Sequence, residues 1–183
     1  MYTVFIDFKQ TYDSIPRSKT WDHLRKKKMP THMLSIRNAD DYTLLDGDLS
    51  AAVQPLFGVK QGCPLSPLLF SIYLNDIDSV TDEAQGALTG FNVKSMLFAD
   101  DLSLPSNEHA VLQAMLNKLR VNAEKKSLTV STQKSGVMCF NSNSENLSPL
   151  YFDGVMLPYT DSFKYLGMMC DKQINLNRVC SET

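Results

Sequence analysis

Cysteine is scarce in this 183-residue sequence, and its spacing excludes the usual cysteine-based sites. The four cysteines are Cys63, Cys139, Cys170 and Cys180. They form no C-x-x-C pair, and none lies near a histidine at the spacing of a zinc site. Free thiols of this kind are typical of a reducing compartment, so we interpret the protein as intracellular.

The sequence also lacks a basic surplus and any membrane-directed segment. Its 18 lysines and arginines face 20 aspartates and glutamates, which gives a formal net charge of −2. This balance argues mildly against nucleic-acid binding, although a local basic face is compatible with it. No apolar run approaches the length of a membrane span, and the start "MYTVFIDFKQ" lacks the features of a signal peptide. We therefore expect a soluble protein of the nucleus or the cytoplasm.

What is present is the composition of an ordinary globular domain, with 43% hydrophobic and 21% charged residues. The length suits one domain spanning residues 1–183. Strand-like residues begin at position 2, and the tail "NLNRVCSET" stops without a closing element. We expect the chain to be one part of a larger protein.

Hydrophobic patterning predicts a mixture of strands and helices. The longest helix should run from Ser106 or Asn107 to Lys126, because its apolar residues recur at helical spacing. Its expected buried face is Leu112, Met115, Leu116, Leu119 and Ala123. The other predicted elements are strand 2–8, a turn and then a helix within 14–30, short strands around 46–47, a helix from 66 to about 80, hairpin 95–104, strand 135–141, two strands around Asp153-Gly154 and strand 163–170. The hairpin implies antiparallel pairing, so we expect an α+β fold with helices on one face of a mainly antiparallel sheet.

Two adjacent carboxylates interrupt the apolar run "MLFADDLSL", residues 96–104. Neighbours in a strand point to opposite faces, so Asp100 and Asp101 can be aimed at one place only at a turn. Like charges this close favour protonation of one group unless a cation is present. Asp7 is the only charged residue of "YTVFIDF", and if strand 2–8 lies beside the hairpin it joins them. Hard oxygen ligands of this kind suit Mg²⁺.

Each of these residues also has a simpler interpretation. Asp-Asp pairs are frequent in surface turns, where they bind nothing. Asp7 by itself could cap a helix or form a turn. The basic run 25–28 could follow a phosphate backbone, but a solvated helix face is the more common role of such a run.

Five blocks of the sequence resemble motifs A to E of the reverse transcriptase palm, in the form carried by non-LTR (LINE-type) retrotransposons. Group II intron reverse transcriptases are close relatives of that form. The blocks stand in the family's order and span nearly the whole chain. They are "FIDFKQTYDSI" (5–15), "GVKQGCPLSPLLFSIYLNDI" (58–77), "MLFADDLSL" (96–104), "LTVSTQKSGVMCF" (128–140) and "FKYLGM" (163–168).

The resemblance implies an RNA-directed DNA polymerase with a ferredoxin-like palm. Its cofactor would be two Mg²⁺ ions, with Mn²⁺ as a substitute. Asp7 and Asp100 would bind the metal ions, with Asp101 as their partner and the Phe8 carbonyl as a further ligand. The reaction would join a deoxynucleoside triphosphate to a primer 3′-hydroxyl on an RNA template.

The resemblance also implies roles in nucleotide and primer binding. Tyr12 would lie under the incoming sugar and exclude a 2′-hydroxyl, although a buried core tyrosine is an alternative. Gln61, Gly62 and Pro64 would form a loop that touches the nucleotide and template, although Gly62 also suits a plain turn.

Lys134 would stand near the leaving pyrophosphate, and a solvated surface lysine is an equally simple interpretation. The primer grip would consist of Phe163, Lys164, Tyr165, Leu166 and Gly167. The fingers and thumb of the family are not recognisable here. Their absence explains the acidic balance, and we expect this chain alone to show no activity.

Two other functions stay open at this point. The chain could be a catalytically inactive remnant of such an element that serves at most as a binding module. It could also belong to a viral RNA-templated RNA polymerase, which shares the palm. In that class the turn is usually Gly-Asp-Asp, whereas Ala99 stands here, and Tyr12 would hinder ribonucleotides.

Overall fold

The structure is a computed structural model of the protein. It describes residues 1–9, 11–30, 44–45, 48–52, 56–58, 66–75, 77, 80, 95–140 and 147–173. The chain divides into two compact units. Unit 1 is formed by Met1–Lys9 and Asp76–Thr183, and unit 2 by Gln10–Asn75.

The described elements follow one another along the chain in a mixed order. They are β1 (Tyr2–Asp7), α1 (Thr11–Ser14), α2 (Arg17–Lys26), β2 (Leu44–Leu45), β3 (Asp48–Leu49), α3 (Ser66–Leu74), β4 (Met96–Phe98), β5 (Asp101–Ser106), α4 (His109–Lys125), β6 (Gly136–Cys139), β7 (Tyr151–Phe152), β8 (Val155–Met156), β9 (Ser162–Tyr165) and β10 (Met168–Asp171).

A four-stranded sheet in the order β4-β5-β1-β6 is the frame of unit 1. Each neighbouring pair is antiparallel, and β1 lies between β5 and β6. Strand β5, helix α4 and strand β6 are consecutive in the chain, and β1 lies between the two strands in the sheet. They therefore form a split β-α-β unit. The expected antiparallel α+β sheet is confirmed.

One face of this sheet is covered by α4. The side chains of Val4 and Ile6 on β1 and of Leu102 and Leu104 on β5 share that face and are buried. The helix buries the five residues that its periodicity predicted, which are Leu112, Met115, Leu116, Leu119 and Ala123. Each fully buried large aliphatic side chain stabilises the fold by about 1.5–3 kcal/mol. This packing fixes which residues of β1 and β5 point to the opposite face.

Two small hairpins follow the sheet, and one of them corrects the sequence prediction. The strands around Asp153-Gly154 form β7 and β8, as predicted. Residues 163–170 were predicted as one strand, but they form β9 and β10, joined by Leu166-Gly167. Leu166 and Gly167 have φ values of 51° and 79°, the pattern of a type I′ turn. Leucine rarely adopts such a conformation, so the sequence carried no conventional turn signal.

Unit 2 contains the shorter elements. Helix α2 begins after Pro16, as the predicted turn and helix within 14–30 allow, and it ends at Lys26, before the predicted end at Pro30. Its residues Thr20, Trp21 and Leu24 are buried. Strands β2 and β3 pair with Leu45 opposite Asp48, and the predicted Asp-Gly turn at 46–47 lies outside the described residues. Helix α3 spans Ser66–Leu74, and residues 76, 78 and 79 of its predicted continuation to about residue 80 also lie outside them.

Within the part of the chain that the structure describes, no helix is long and apolar enough to cross a membrane.

Replacing Leu166 by Asn should stabilise the protein, since Asn tolerates a positive φ far better than a branched apolar residue. The Leu166 side chain is 41% exposed, so little packing is lost. We expect the free energy of unfolding to rise by about 0.5–1 kcal/mol, measured by denaturant titration. Asp153 occupies the same position of the β7–β8 turn with a φ of 50°. Asp153→Asn is the matched control and should change little; equal effects of both substitutions would contradict the explanation.

Candidate active site

Asp7 and Asp101 lie directly opposite each other on neighbouring strands. They are the last pair in the register of β1 with β5. The Asp7 N–H and C=O point to the other side of β1, where they bond Ser135 and Ser131. Asp7 and Asp101 are therefore a non-hydrogen-bonded pair, the kind in which opposing side chains come closest, with Cβ atoms about 4.5–5.5 Å apart. The two carboxylates share the sheet face opposite α4.

Asp100 lies in the two-residue turn between β4 and β5. Phe98 pairs with Asp101, so the turn residues are Ala99 and Asp100. The sequence placed the turn at both aspartates; the structure instead makes Asp101 the first residue of β5. Ala99 has a φ of 52°, a conformation that is unfavourable for alanine. This turn keeps Asp100 next to the Asp7–Asp101 pair.

The pKa of Asp101 reflects the closeness of the three carboxylates. Burial raises the pKa of its carboxyl group above the ordinary value, and the negative charges of Asp100 and then Asp7 raise it further. Both neighbours therefore lie close enough to repel a charge on Asp101. The structure thus brings Asp7 opposite Asp101, with Asp100 in the adjoining turn, and the metal-binding role of the three residues stays a prediction.

The donor set fits a divalent cation that brings other ligands with it. Among the described residues, no three acidic, histidine or cysteine side chains are gathered closely enough to enclose a metal ion. Mg²⁺ does not need such an enclosure, since it usually binds one or two carboxylates together with waters and substrate phosphates. Carboxylate oxygens that repel one another across an open sheet face suit this mode of binding.

The backbone of Asp7 is held by a turn that follows the same strand on its other side. The Asp7 N–H donates to the Ser135 Oγ at 3.1 Å. The Ser131 N–H donates to the Asp7 carbonyl at 2.8 Å. Ser135 is 2% exposed. Neither serine was predicted from the sequence, where the only signal was a small polar residue, Ser135, placed directly before the apolar run "GVMCF".

Aromatic residues of β9 cover part of the carboxylate face. The Phe163 ring stacks on the Phe5 ring with centroids 4.5 Å apart, and the Tyr165 ring lies 5.4 Å from the same ring. Phe5 is two residues before Asp7 and therefore on the same face. Burial raises the pKa of Tyr165, and the charge of Asp101 adds to that shift. Part of the predicted primer grip thus lies beside the carboxylates.

The Tyr165 hydroxyl donates to the Met96 carbonyl on β4 at 3.4 Å. This bond ties β9 to the edge strand next to the carboxylates. Lys164 lies between the two aromatic residues and is exposed.

The remaining predicted residues lie in different parts of the chain. Phe8 is buried, and the alternation of the strand turns its carbonyl away from residues 129–131 and toward the β5 side of β1. Lys134 is exposed on the turn that holds Asp7. Tyr12 lies in α1 of unit 2. Gln61, Gly62 and Pro64 lie outside the described residues.

A sheet that pairs carboxylates next to a two-residue turn is the arrangement that motifs A and C predicted. A family model described as reverse transcriptase (RNA-dependent DNA polymerase) matches residues 1–170. The chain belongs to the reverse transcriptase family. The resemblance inferred from the sequence motifs is confirmed.

Curated relatives of this reverse transcriptase come from non-LTR retrotransposons. The Pol polyprotein of element R2 from Nasonia vitripennis is 27% identical over 185 residues, covering 92% of this chain and 18% of that protein. The R2 polyprotein of Popillia japonica is 34% identical over 125 residues, covering 60% of this chain and 17% of that protein. The X-element polymerase of Drosophila melanogaster is 28% identical over 129 residues, covering 66% of this chain and 13% of that protein. The reverse transcriptase described here thus spans less than a fifth of these relatives' length.

Solved structures of telomerase share the fold of this reverse transcriptase. Apo telomerase from Candida tropicalis gives a TM-score of 0.65 at 15% identity, covering 93% of this chain and 34% of that one. Telomerase from Candida albicans gives a TM-score of 0.54 at 14% identity, covering 93% of this chain and 29% of that one. At these identities the likeness concerns the fold alone.

Replacing Asp101 by Asn should stabilise the metal-free protein at neutral pH. Because the folded state holds a proton on Asp101 at pH values where the unfolded state has lost it, the raised pKa costs stability as the pH rises above the ordinary value of 3.8. The variant should therefore unfold at higher denaturant concentration than the parent at pH 7 in chelator. The difference should disappear as the pH falls below 3.8.

Asp153→Asn serves as the control for this measurement, because Asp153 pairs with Arg120 at 3.0 Å instead of facing like charges. It should leave stability unchanged or slightly lower. A parent protein more stable than Asp101→Asn at pH 7 would show that the carboxylates do not repel one another in the fold.

Proposed function

We propose that this chain is the catalytic palm of an RNA-directed DNA polymerase of a non-LTR retrotransposon. It would transfer a deoxynucleotide from its triphosphate to a primer 3′-hydroxyl on an RNA template. The observation that carries the proposal is the placement of Asp7 opposite Asp101, with Asp100 in the adjoining turn. In a chain of this family, that face of the sheet is where phosphoryl transfer is expected.

Asp7, Asp100 and Asp101, with the Phe8 carbonyl, are the proposed holders of two Mg²⁺ ions, or of Mn²⁺ in their place. When bound, the ions would supply charge stabilisation for an in-line displacement at phosphorus. The protein's own contribution is to hold the carboxylates close together and aimed at one place. The raised pKa of Asp101 supports this, because a carboxyl group repelled by its neighbours gains most from a cation.

The other side chains are proposed to bind and orient the substrates. Lys134 is a mobile cationic donor suited to the phosphate oxygens that leave as pyrophosphate. Its exposed position on the turn next to Asp7 supports this role. Tyr12 is proposed to exclude a 2′-hydroxyl by its ring. Gln61, Gly62 and Pro64 are proposed to contact the nucleotide and template.

The β9 hairpin is proposed to hold the primer end. Phe163 and Tyr165 pack on Phe5, which places their backbone on the carboxylate face. Lys164 and the Leu166-Gly167 turn are exposed and available to a nucleic-acid backbone. Since β9 rests on the strand that carries Asp7, a primer held there would have its end directed toward the metal site.

The proposed partners are an RNA template, a DNA primer and deoxynucleoside triphosphates, along with the fingers and thumb of the parent polyprotein. The chain's net charge of −2 supports the view that other segments supply most of the phosphate-binding cations. The second candidate, an inactive remnant acting as a binding module, is weakened by the paired carboxylates. Repelling acidic groups destabilise a fold that has no use for them.

Substituting Asp100 by Asn should abolish primer extension. The test uses a chimaeric polymerase in which this chain replaces the matching segment of the R2 polyprotein from Nasonia vitripennis, assayed on an RNA template with Mg²⁺. Loss of a charged metal ligand removes stabilisation of the transferring phosphoryl group, so we expect a fall of at least about 10³-fold in rate. Extension by the Asp100→Asn chimaera at the parent rate would refute the metal assignment.

Asp153→Asn is the matched control for that assay. It makes the same chemical change on the β7–β8 hairpin, which packs against α4 and not on the carboxylate face. Its rate should equal that of the parent chimaera.

The 183-residue chain alone should show no primer extension, because it spans less than a fifth of the relatives' length and would lack a complete channel for the template–primer duplex. The measurement is the same assay with the isolated chain at high concentration. Measurable extension that disappears in Asp100→Asn would overturn this expectation and show that the palm acts by itself.

A further inference from the structure

Strand β1 changes its pairing register at Asp7. Up to Phe5, which lies opposite Gly136, it pairs with β6 in one register. Beyond Asp7 it pairs in another, with Phe8 opposite Val130 and the Lys9 N–H bonded to the Thr129 carbonyl. The two registers differ by three residues because 132–134 leave the ladder as a turn. Irregularities of this kind are over-represented next to active sites.

The break in the ladder removes the main-chain acceptor that Asp7 would otherwise use. In the β6 register the residue opposite Asp7 is Lys134, whose carbonyl would accept from the Asp7 N–H in a continuous ladder. Lys134 instead stands on the turn, with its own N–H donating to the Ser131 carbonyl, and the Asp7 N–H donates to a side chain. The acceptor is supplied by the Ser135 Oγ, 3.1 Å from the Asp7 nitrogen. Without it, a partly buried amide at the metal-binding residue would lose its partner, which is costly.

We infer that Ser135 is a positioning residue for nucleotidyl transfer, whose hydroxyl replaces the missing ladder acceptor and fixes the Asp7 backbone so that its carboxylate is directed at the metal site. The inference rests on the proposed function. Partners that orient a metal ligand without touching the metal often change its affinity by about 10–100-fold.

The hydrogen bond between the Asp7 N–H and the Ser135 Oγ also couples the position of Lys134 to that of Asp7. Ser131 and Ser135 bracket the turn, and both the Lys134 and the Ser135 N–H groups bond the Ser131 carbonyl at 3.1 and 2.8 Å. One end of the turn bonds the Asp7 carbonyl and the other end bonds the Asp7 N–H. A displacement of the turn that carries the lysine therefore has to break a bond to the metal-binding residue. Ser135 thus sets the position of both groups.

Ser131 provides a matched control within the same turn. It is also a buried serine, 4% exposed, but it reaches Asp7 through its backbone N–H. Ser131→Ala keeps that bond, whereas Ser135→Ala removes the acceptor of the other. If the buried serines of this turn were only structural, Ser131→Ala and Ser135→Ala would have the same effect on Mn²⁺ affinity and on exchange of the Asp7 amide.

The experiment measures Mn²⁺ binding to the 183-residue chain, together with hydrogen exchange of the Asp7 amide by nuclear magnetic resonance. In Ser135→Ala we expect Mn²⁺ affinity to fall about tenfold or more. The Asp7 amide should exchange about tenfold faster than in the parent, because its acceptor is lost. Ser131→Ala should match the parent in both measurements. Equal losses in the two variants, or an unchanged Ser135→Ala, would overturn the inference.

A second pair of variants decides the question if Ser135→Ala does not fold. Ser135→Thr and Ser135→Val have nearly the same shape and add the same bulk, but only threonine keeps the hydroxyl. Threonine should retain Mn²⁺ affinity and amide protection, and valine should lose both. If the two bind Mn²⁺ equally, the hydroxyl has no positioning role.

Asp100→Asn separates this inference from the proposed function. Mn²⁺ binding that is lost in Asp100→Asn but unchanged in Ser135→Ala refutes only the role of Ser135. Mn²⁺ binding that is equal in the parent and Asp100→Asn refutes the metal site itself, and the role of Ser135 with it.

Discussion

The structure of unit 1 depends on the packing of one apolar sheet face against α4, because this packing holds mutually repelling carboxylates together on the other face. Two unit charges a few ångströms apart repel by about 1–4 kcal/mol at effective dielectric constants of 80 to 20. Ile6 and Leu102, buried on the other face, each contribute about 1.5–3 kcal/mol. Because a slip of one residue would move every side chain of β1 to the wrong face, the apolar pattern also fixes where Asp7 and Asp101 point. The hydrophobic core therefore holds an electrostatically unfavourable pair in place.

The two faces of the sheet consequently differ in composition and in burial. The face toward α4 is apolar, and its burial stabilises the fold. This burial also fixes the register of β1 against β5. The opposite face carries the carboxylates and is only partly covered, by the aromatic residues of β9 on Phe5. Strand β1 belongs to both faces, so the packing of the core also fixes the position of Asp7 on the second face.

The sequence predicted most of the sheet, the buried face of α4 and the meeting of Asp7 with the hairpin aspartates, because these follow from periodicity and from a resemblance with specific motifs. It did not predict the β9–β10 hairpin, since Leu166 adopts a positive φ that leucine normally avoids. It also did not reveal Ser135, whose role arises from a register change between β1 and residues 129–139. A non-local pairing of this kind leaves no periodic trace, and one serine before an apolar run has many ordinary explanations.

Proline in β5 has a consequence for the behaviour of the sheet edge. Among the described residues, β4 covers β5 only as far as Ser103. Beyond it, the alternation set by the β1 pairing turns the backbone nitrogen of Pro105 outward, and proline has no N–H. Pro105 therefore offers no donor through which the β4–β5 ladder could continue past Ser103. This missing donor matches the length of β4, whose pairing with β5 stops at that residue.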